Sequence, residues 1–190
     1  MSLIPFGFWA ASGAGGAASS YDLLETTTLT SSASSVTFSG LGSYSDYAHL
    51  QIRWVGRTDY SGVSTTGVRL NGDSGSNYSH HYLQGNGSAV SAYGWPSNAY
   101  AQGGYFPGSG SGTDIFGTSI LDILDFTSTT KNTTLRILSG VNPTSGLTAV
   151  GLFSSVWLST AAVSSTTIFP ATNDNYVTGS RFSLYGIKGA

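Results

Sequence analysis

The chain has 190 residues, no cysteine, a formal net charge of −2 and only 8% charged residues. That length can bury a core without covalent staples, so the lack of cysteine costs no fold but excludes a disulfide framework or a thiolate metal site. Seven basic residues are too few to track a phosphate backbone, and no apolar run approaches the about 18 residues of a membrane helix, so neither nucleic acid nor membrane is expected as a partner.

In chain order, Leu3, Ile4, Phe6, Phe8 and Trp9 form a short apolar cluster, followed by the small-residue run AASGAGGAASS. A secretory signal is disfavoured, because the start carries no basic residue and Pro5 and Gly7 interrupt the apolar part. Residues 1–20 therefore read as a docking arm, an apolar tip on a flexible Gly/Ala/Ser link, with folding back over its own domain as the alternative.

From Tyr21 to the end, residues 21–190 read as one β domain. "SSVTFSG" (34–40) is β-branched and aromatic and stops at glycine. In "DYAHLQIRWVGR" (46–57), Ala48, Leu50, Ile52 and Trp54 alternate with Tyr47, His49, Gln51 and Arg53, the period of a half-buried strand. "VRLNGDSGSNYSHHY" (68–82) reads as strand, glycine-rich reversal, strand. Residues 85–114 are rich in glycine and aromatics and read as one long loop. Its rings, Tyr93, Trp95, Tyr100, Tyr105 and Phe106, suit a glycan platform, a subunit interface or a plug for the open end of the fold. "SILDILDF" (119–126) has helix-like apolar spacing, but the turn-rich TSTTKNTT after it favours a hairpin with "TTLRILSG" (133–140), where Thr133, Leu135 and Ile137 oppose Thr134, Arg136 and Leu138. "GLFSSVWLS" (151–159), "STTIFP" (165–170) and "SRFSLYGIK" (180–188) complete the pattern. About nine or ten short strands without helical spacers predict an all-β antiparallel sandwich of jelly-roll type carrying the extended N-terminal arm.

No catalytic, cofactor or metal residues are expected. Gly72-Asp73-Ser74-Gly75 matches the stretch around the nucleophile of chymotrypsin-like proteases, with His49 as the nearest base. The interval from His49 to Ser74 is far too short for the barrels that separate those residues in such enzymes, and it holds only Asp59 and Asp73 as carboxylates. Asn71, Asp73, Ser74, Ser76 and Asn77 could line a cation loop, but one carboxylate is little for calcium. His80 and His81 are adjacent in a strand and leave opposite faces, which suggests a satisfied inner histidine beside a surface one. Asp122 and Asp125 also diverge on a strand and read as solvated or edge-protecting rather than as a glycosidase pair.

"SSVTFSGL", "YAHLQIRWVGRT", "VRLNGDSGSNY" and "GSRFSLYGIK", in that order, resemble a jelly-roll module of tailed-bacteriophage structural proteins, and "PFGFWAASGAGG" is similar to the arm of such proteins. The resemblance spans most of the chain and departs most at 85–114. It implies a non-catalytic virion component without cofactor, assembled in the host cytoplasm. Such a component would be a capsid decoration (cement) protein held by its arm, or a tail-fibre or receptor-binding module contacting host glycans through the aromatic loop. The implied partners are other virion proteins, the major capsid protein or tail subunits, and further copies of the chain in a homo-oligomer, a trimer by expectation. Low charge fits a protein packed against neighbours.

Overall fold

The computed structural model describes residues 20–189, so the arm residues Leu3, Ile4, Phe6, Phe8 and Trp9 lie outside it. Twelve strands follow one another: β1 (Tyr21–Thr28), β2 (Val36–Ser39), β3 (His49–Gly56), β4 (Val63–Leu70), β5 (Tyr78–Gly85), β6 (Val90–Asn98), β7 (Ala101–Pro107), β8 (Gly117–Ile123), β9 (Thr133–Val141), β10 (Ala149–Trp157), β11 (Ser165–Pro170) and β12 (Arg181–Ile187). They form an antiparallel sandwich of an eight-stranded sheet, β1-β12-β3-β8-β9-β10-β5-β6, and a four-stranded sheet, β2-β11-β4-β7. Setting aside the hairpins β5–β6 and β9–β10 leaves β1-β12-β3-β8 facing β2-β11-β4-β7. That is the double Greek key of a jelly roll. The two hairpins pair with each other through β10 and β5, and together they widen one sheet by four strands beyond β8.

Alternation makes the strands and packs the core. Leu50, Ile52 and Trp54 of β3 and Leu135 and Ile137 of β9 are buried, while Arg53, Arg136 and Leu138 face out. SILDILDF is strand as far as Ile123 and turn beyond it, because Leu121 and Ile123 point into the sandwich and the backbone up to Ile123 pairs with β9. Between the sheets, Trp54 stacks on Phe106 of β7 at 6.1 Å and on Phe182 of β12 at 6.4 Å, and Tyr176 closes the column at 5.1 Å and 5.0 Å from those two rings. Gly56 is required here, since a Cβ would sit 2.3 Å from Phe106 Cε1.

The expected long loop at 85–114 is instead largely two strands, β6 and β7. Its glycines are spacers beneath neighbouring side chains rather than loop markers. A Cβ on Gly94 would meet His81 Cδ2 at 2.4 Å, and one on Gly103 would meet Thr66 at 2.9 Å. Gly104, with φ 108°, lies at a bulge in β7, and the following Tyr105 N–H donates across the sandwich to the Ser139 hydroxyl at 2.9 Å.

Candidate binding surfaces

The glycine-rich reversal at 71–77 carries the chain from one sheet to the other rather than closing a hairpin, since β4 and β5 belong to different sheets. Asn71 and Gly72 take positive φ, 53° and 69°. Asn71 Oδ1 accepts the Ser164 and Ser165 N–H groups at 2.7 Å and 3.1 Å, tying the crossing to the loop before β11. The Asp73 carboxylate accepts from the Trp157 indole (2.7 Å), Asn77 Nδ2 (2.9 Å) and the Gly75 N–H (2.8 Å). These donors hold its carboxyl below the ordinary 3.8, the Trp157 indole most. Tyr78 follows: burial pushes its phenol up to about 12, and its oxygen accepts the Leu70 N–H at 2.9 Å.

The structure does not join the protease-like residues. His49 Nδ1 accepts the Asp125 N–H at 2.9 Å, while the Asp73 carboxylate serves its own turn and Trp157. Among the described residues no group of three or more His, Asp or Glu is placed to hold a metal ion, and no helix is long and apolar enough to cross a membrane.

Asp122 departs from its expected role. It sits inside the sheet on β8, nearly buried, and its oxygens accept from Gln51 Nε2 (2.7 Å) and from Arg136 Nη2 and Nε (2.6 Å and 3.0 Å). A mid-sheet position shields no edge, and burial of the carboxylate is offset by these donors. Asp125 beyond the strand end is bonded to Lys131.

The five aromatic residues expected to share a loop are separated. Phe106 and Tyr105 are core residues, 0% and 5% exposed, and cannot offer a ring face to a ligand. Tyr100, half-buried, meets Phe169 edge-on at 5.6 Å. Only Tyr93 and Trp95 on β6 remain available, at 46% and 41% exposure. Sequence reading missed their real companions. Tyr82 of β5 lies 5.2 Å from Tyr93 and 5.6 Å from Trp95, and Phe153 of β10 lies 5.0 Å from Tyr82. The cluster starts at Tyr105 in the core and ends in two exposed rings stacked at 5.9 Å and 25° on the edge strand. His80 lies 5.2 Å from Trp95 and is buried as expected, but its Nδ1 has no hydrogen-bond partner among the described residues. Burial, and then the charge of His81, holds its pKa down, so the ring stays neutral against Trp95.

A second surface lies on the outer face of the eight-stranded sheet. The registers align Ile120 with Leu138, Leu138 with Leu152, Leu152 with Leu83, and Leu83 with Ala92, an unbroken apolar rung from β8 to β6. The next rung toward one end of the strands runs Val55, Thr118, Gly140, Val150, Gly85, Val90. Leu138, Leu152 and Leu83 are each about half exposed, at 51%, 47% and 53%, although they stand in the interior of a sheet. On the other side the rung Gln51, Asp122, Arg136, Ser154, His81 is polar. Single exposed leucines are ordinary on a soluble protein, but a contiguous apolar band marks an interaction site. Both surfaces are built mainly by the two hairpins added to the jelly roll.

No family model matches the chain, and no curated protein and no solved structure matches it. The class is therefore defined by its own geometry: a jelly-roll sandwich with one sheet extended by two hairpins.

Proposed function

We propose that this chain is a non-catalytic structural protein of a tailed-phage virion, a capsid decoration protein held to the shell by residues 1–20. The observation that carries the reading is the exposed apolar band on the extended sheet, from Ile120 to Leu83. A chain with 8% charged residues and such a band is built to be covered by neighbours, as packing in a shell requires. The arm's apolar tip supplies a separate anchor, and the jelly roll supplies the body that self-associates. Its place is the virion, reached by assembly in the host cytoplasm, with the major capsid protein or tail subunits as partners.

The test is binding to undecorated heads, by sedimentation and imaging, with the full chain and with a chain lacking residues 1–16. The full chain is expected to co-sediment and the shortened one to stay in solution. Equal binding by both would remove the arm from the mechanism.

A second reading is favoured by one observation, the exposed stacked pair of Tyr93 and Trp95. Flat neutral rings on an edge strand suit the C–H faces of sugars, and a receptor-binding module would use them. Specific signals on a glycan array, lost on Trp95→Ala, are the expected result for that reading. A blank array at high protein concentration leaves it without support.

A further inference from the structure

We infer that the outer face of the eight-stranded sheet binds a second copy of this chain, face to face about a two-fold axis. The virion reading is not needed for this step, which rests on four features of the face. The first is its size. Eight strands at about 4.8 Å spacing and about 24 Å of strand length give a face on the order of 900 Å², against about 800 Å² per partner in a standard stable interface. The apolar band covers the five strands from β8 to the edge strand β6.

The second is relief. Leu138 and Leu152 stand up as a ridge, and hollows lie beside them on the same face. One hollow, of about 390 Å³, is lined by Leu83, Ala92 and Leu152, with His81 and Ser154 at its polar side. Another, of about 240 Å³, is lined by Ile120, Leu138, Gly140 and Val150. A surface carrying both ridge and hollow can be complementary to itself, which an isologous contact requires. Two such faces would pack as the sheets of a sandwich do, about 10 Å apart with strands crossed by about 30°.

The third is charge. The charged groups of the bordering polar rung are already neutralised inside one chain: Asp122 pairs with Arg136 and accepts from Gln51. Arg53, beside them, lies over Tyr185 at 4.6 Å and donates to Gln51 Oε1 at 2.6 Å. Closing a second face over the Asp122–Arg136 pair therefore buries no unpaired charge, the usual obstacle to association. Arg53, held by Gln51 and the Tyr185 ring rather than by a carboxylate among the described residues, stands opposite Ile120 at the β3 end of the band. The fourth is position. The band runs across β8, β9, β10, β5 and β6, so the hairpins that widen the jelly roll supply most of it.

The experiment is sedimentation equilibrium of the full chain at tens of micromolar, beside the double variant Leu138→Asp/Leu152→Asp. The control is Thr37→Asp on the exposed side of the other sheet. Thermal melting of each variant verifies folding; both leucines are exposed, so their replacement leaves the core intact. The full chain and the control are expected at the mass of two chains. The double variant is expected as a monomer, with association weakened by about 100-fold or more. A full chain that stays monomeric overturns the inference, and so does a double variant that still pairs. A trimer would agree with the count implied by the phage resemblance and would overturn the two-fold pairing. A chain lacking residues 1–19 tests the other occupant. If it no longer pairs, or pairs more tightly because its own arm had covered the face, the arm and not a second sheet is the natural cover. Decoration of heads is a separate readout, so failure here leaves the virion reading standing and failure there leaves the pairing standing.

Discussion

Phe106→Ala is expected to cost about 3–5 kcal/mol of folding stability, the usual loss for emptying a large aromatic site in a core. On a chain of this size it would lower the melting temperature by on the order of 10 °C. The ring is fully buried and is the main link between the two sheets at this point: it stacks on Trp54 of the opposite sheet and meets Tyr176 edge-on. Its edge also fills the space over Gly56, where no side chain can sit. Removing it leaves a void bordered by two large rings that cannot collapse without moving the sheets. Urea unfolding monitored by tryptophan fluorescence measures the loss. A cost within about 0.5 kcal/mol, typical of a surface position, would return Phe106 to a ligand-binding role and contradict the core described above.

The contrast between Phe106 and Trp95 shows where sequence reading succeeds and fails. Period-two alternation is legible wherever one face of a strand is buried and the other is wet. It therefore picks out Leu50, Ile52 and Trp54, and the two sheets follow from counting such runs. The alternation fails at residues 85–114, because glycines there serve close side-chain crossings such as His81 over Gly94, and the same letters mark loops elsewhere. The jelly-roll order is implied by the succession of strands, but the added hairpins are not. Pairing of β10 with β5 depends on contacts between distant segments. The apolar band shares this property. The pattern in TTLRILSG already turns Leu138 outward, as an isolated exposed leucine. Only cross-strand register lines it up with Ile120, Leu152 and Leu83, and only then does it become a surface with a use. The aromatic cluster is half legible: Tyr93 and Trp95 stand out by type, while Tyr82 and Phe153 join them only through the pairing of β5 with β6 and with β10.

Asp73→Ala is the second large effect, and it tests what the GDSG stretch is for. The carboxylate gathers the Trp157 indole, the Asn77 amide and the Gly75 N–H at the point where the chain crosses between sheets. Truncation leaves the indole N–H of Trp157 without its partner in a nearly buried site, so a loss of about 2–3 kcal/mol is expected at pH 7. Ser74→Ala, one residue on and exposed, is expected to change stability by less than about 0.5 kcal/mol. The pH dependence gives a further signature. The folded protein holds the Asp73 carboxyl below 3.8, chiefly through the Trp157 indole, so the ionised form is favoured by folding. Its charge-linked contribution is present above the unfolded value of 3.8 and is lost as the pH falls through the lower folded value. The stability gap between the natural chain and Asp73→Ala should therefore be widest at neutral pH and narrow only below 3.8. Asp59 and Asp125 are also held low, by the Asn175 N–H and by Lys131, so the natural chain loses stability in acid at several places. The difference between the two proteins isolates Asp73 from them. Melting curves from pH 7 to pH 2.5 would measure that difference. A gap that is absent at pH 7, or a Ser74→Ala variant as damaged as Asp73→Ala, would mean that the carboxylate does not hold the crossing and that the stretch has some other task.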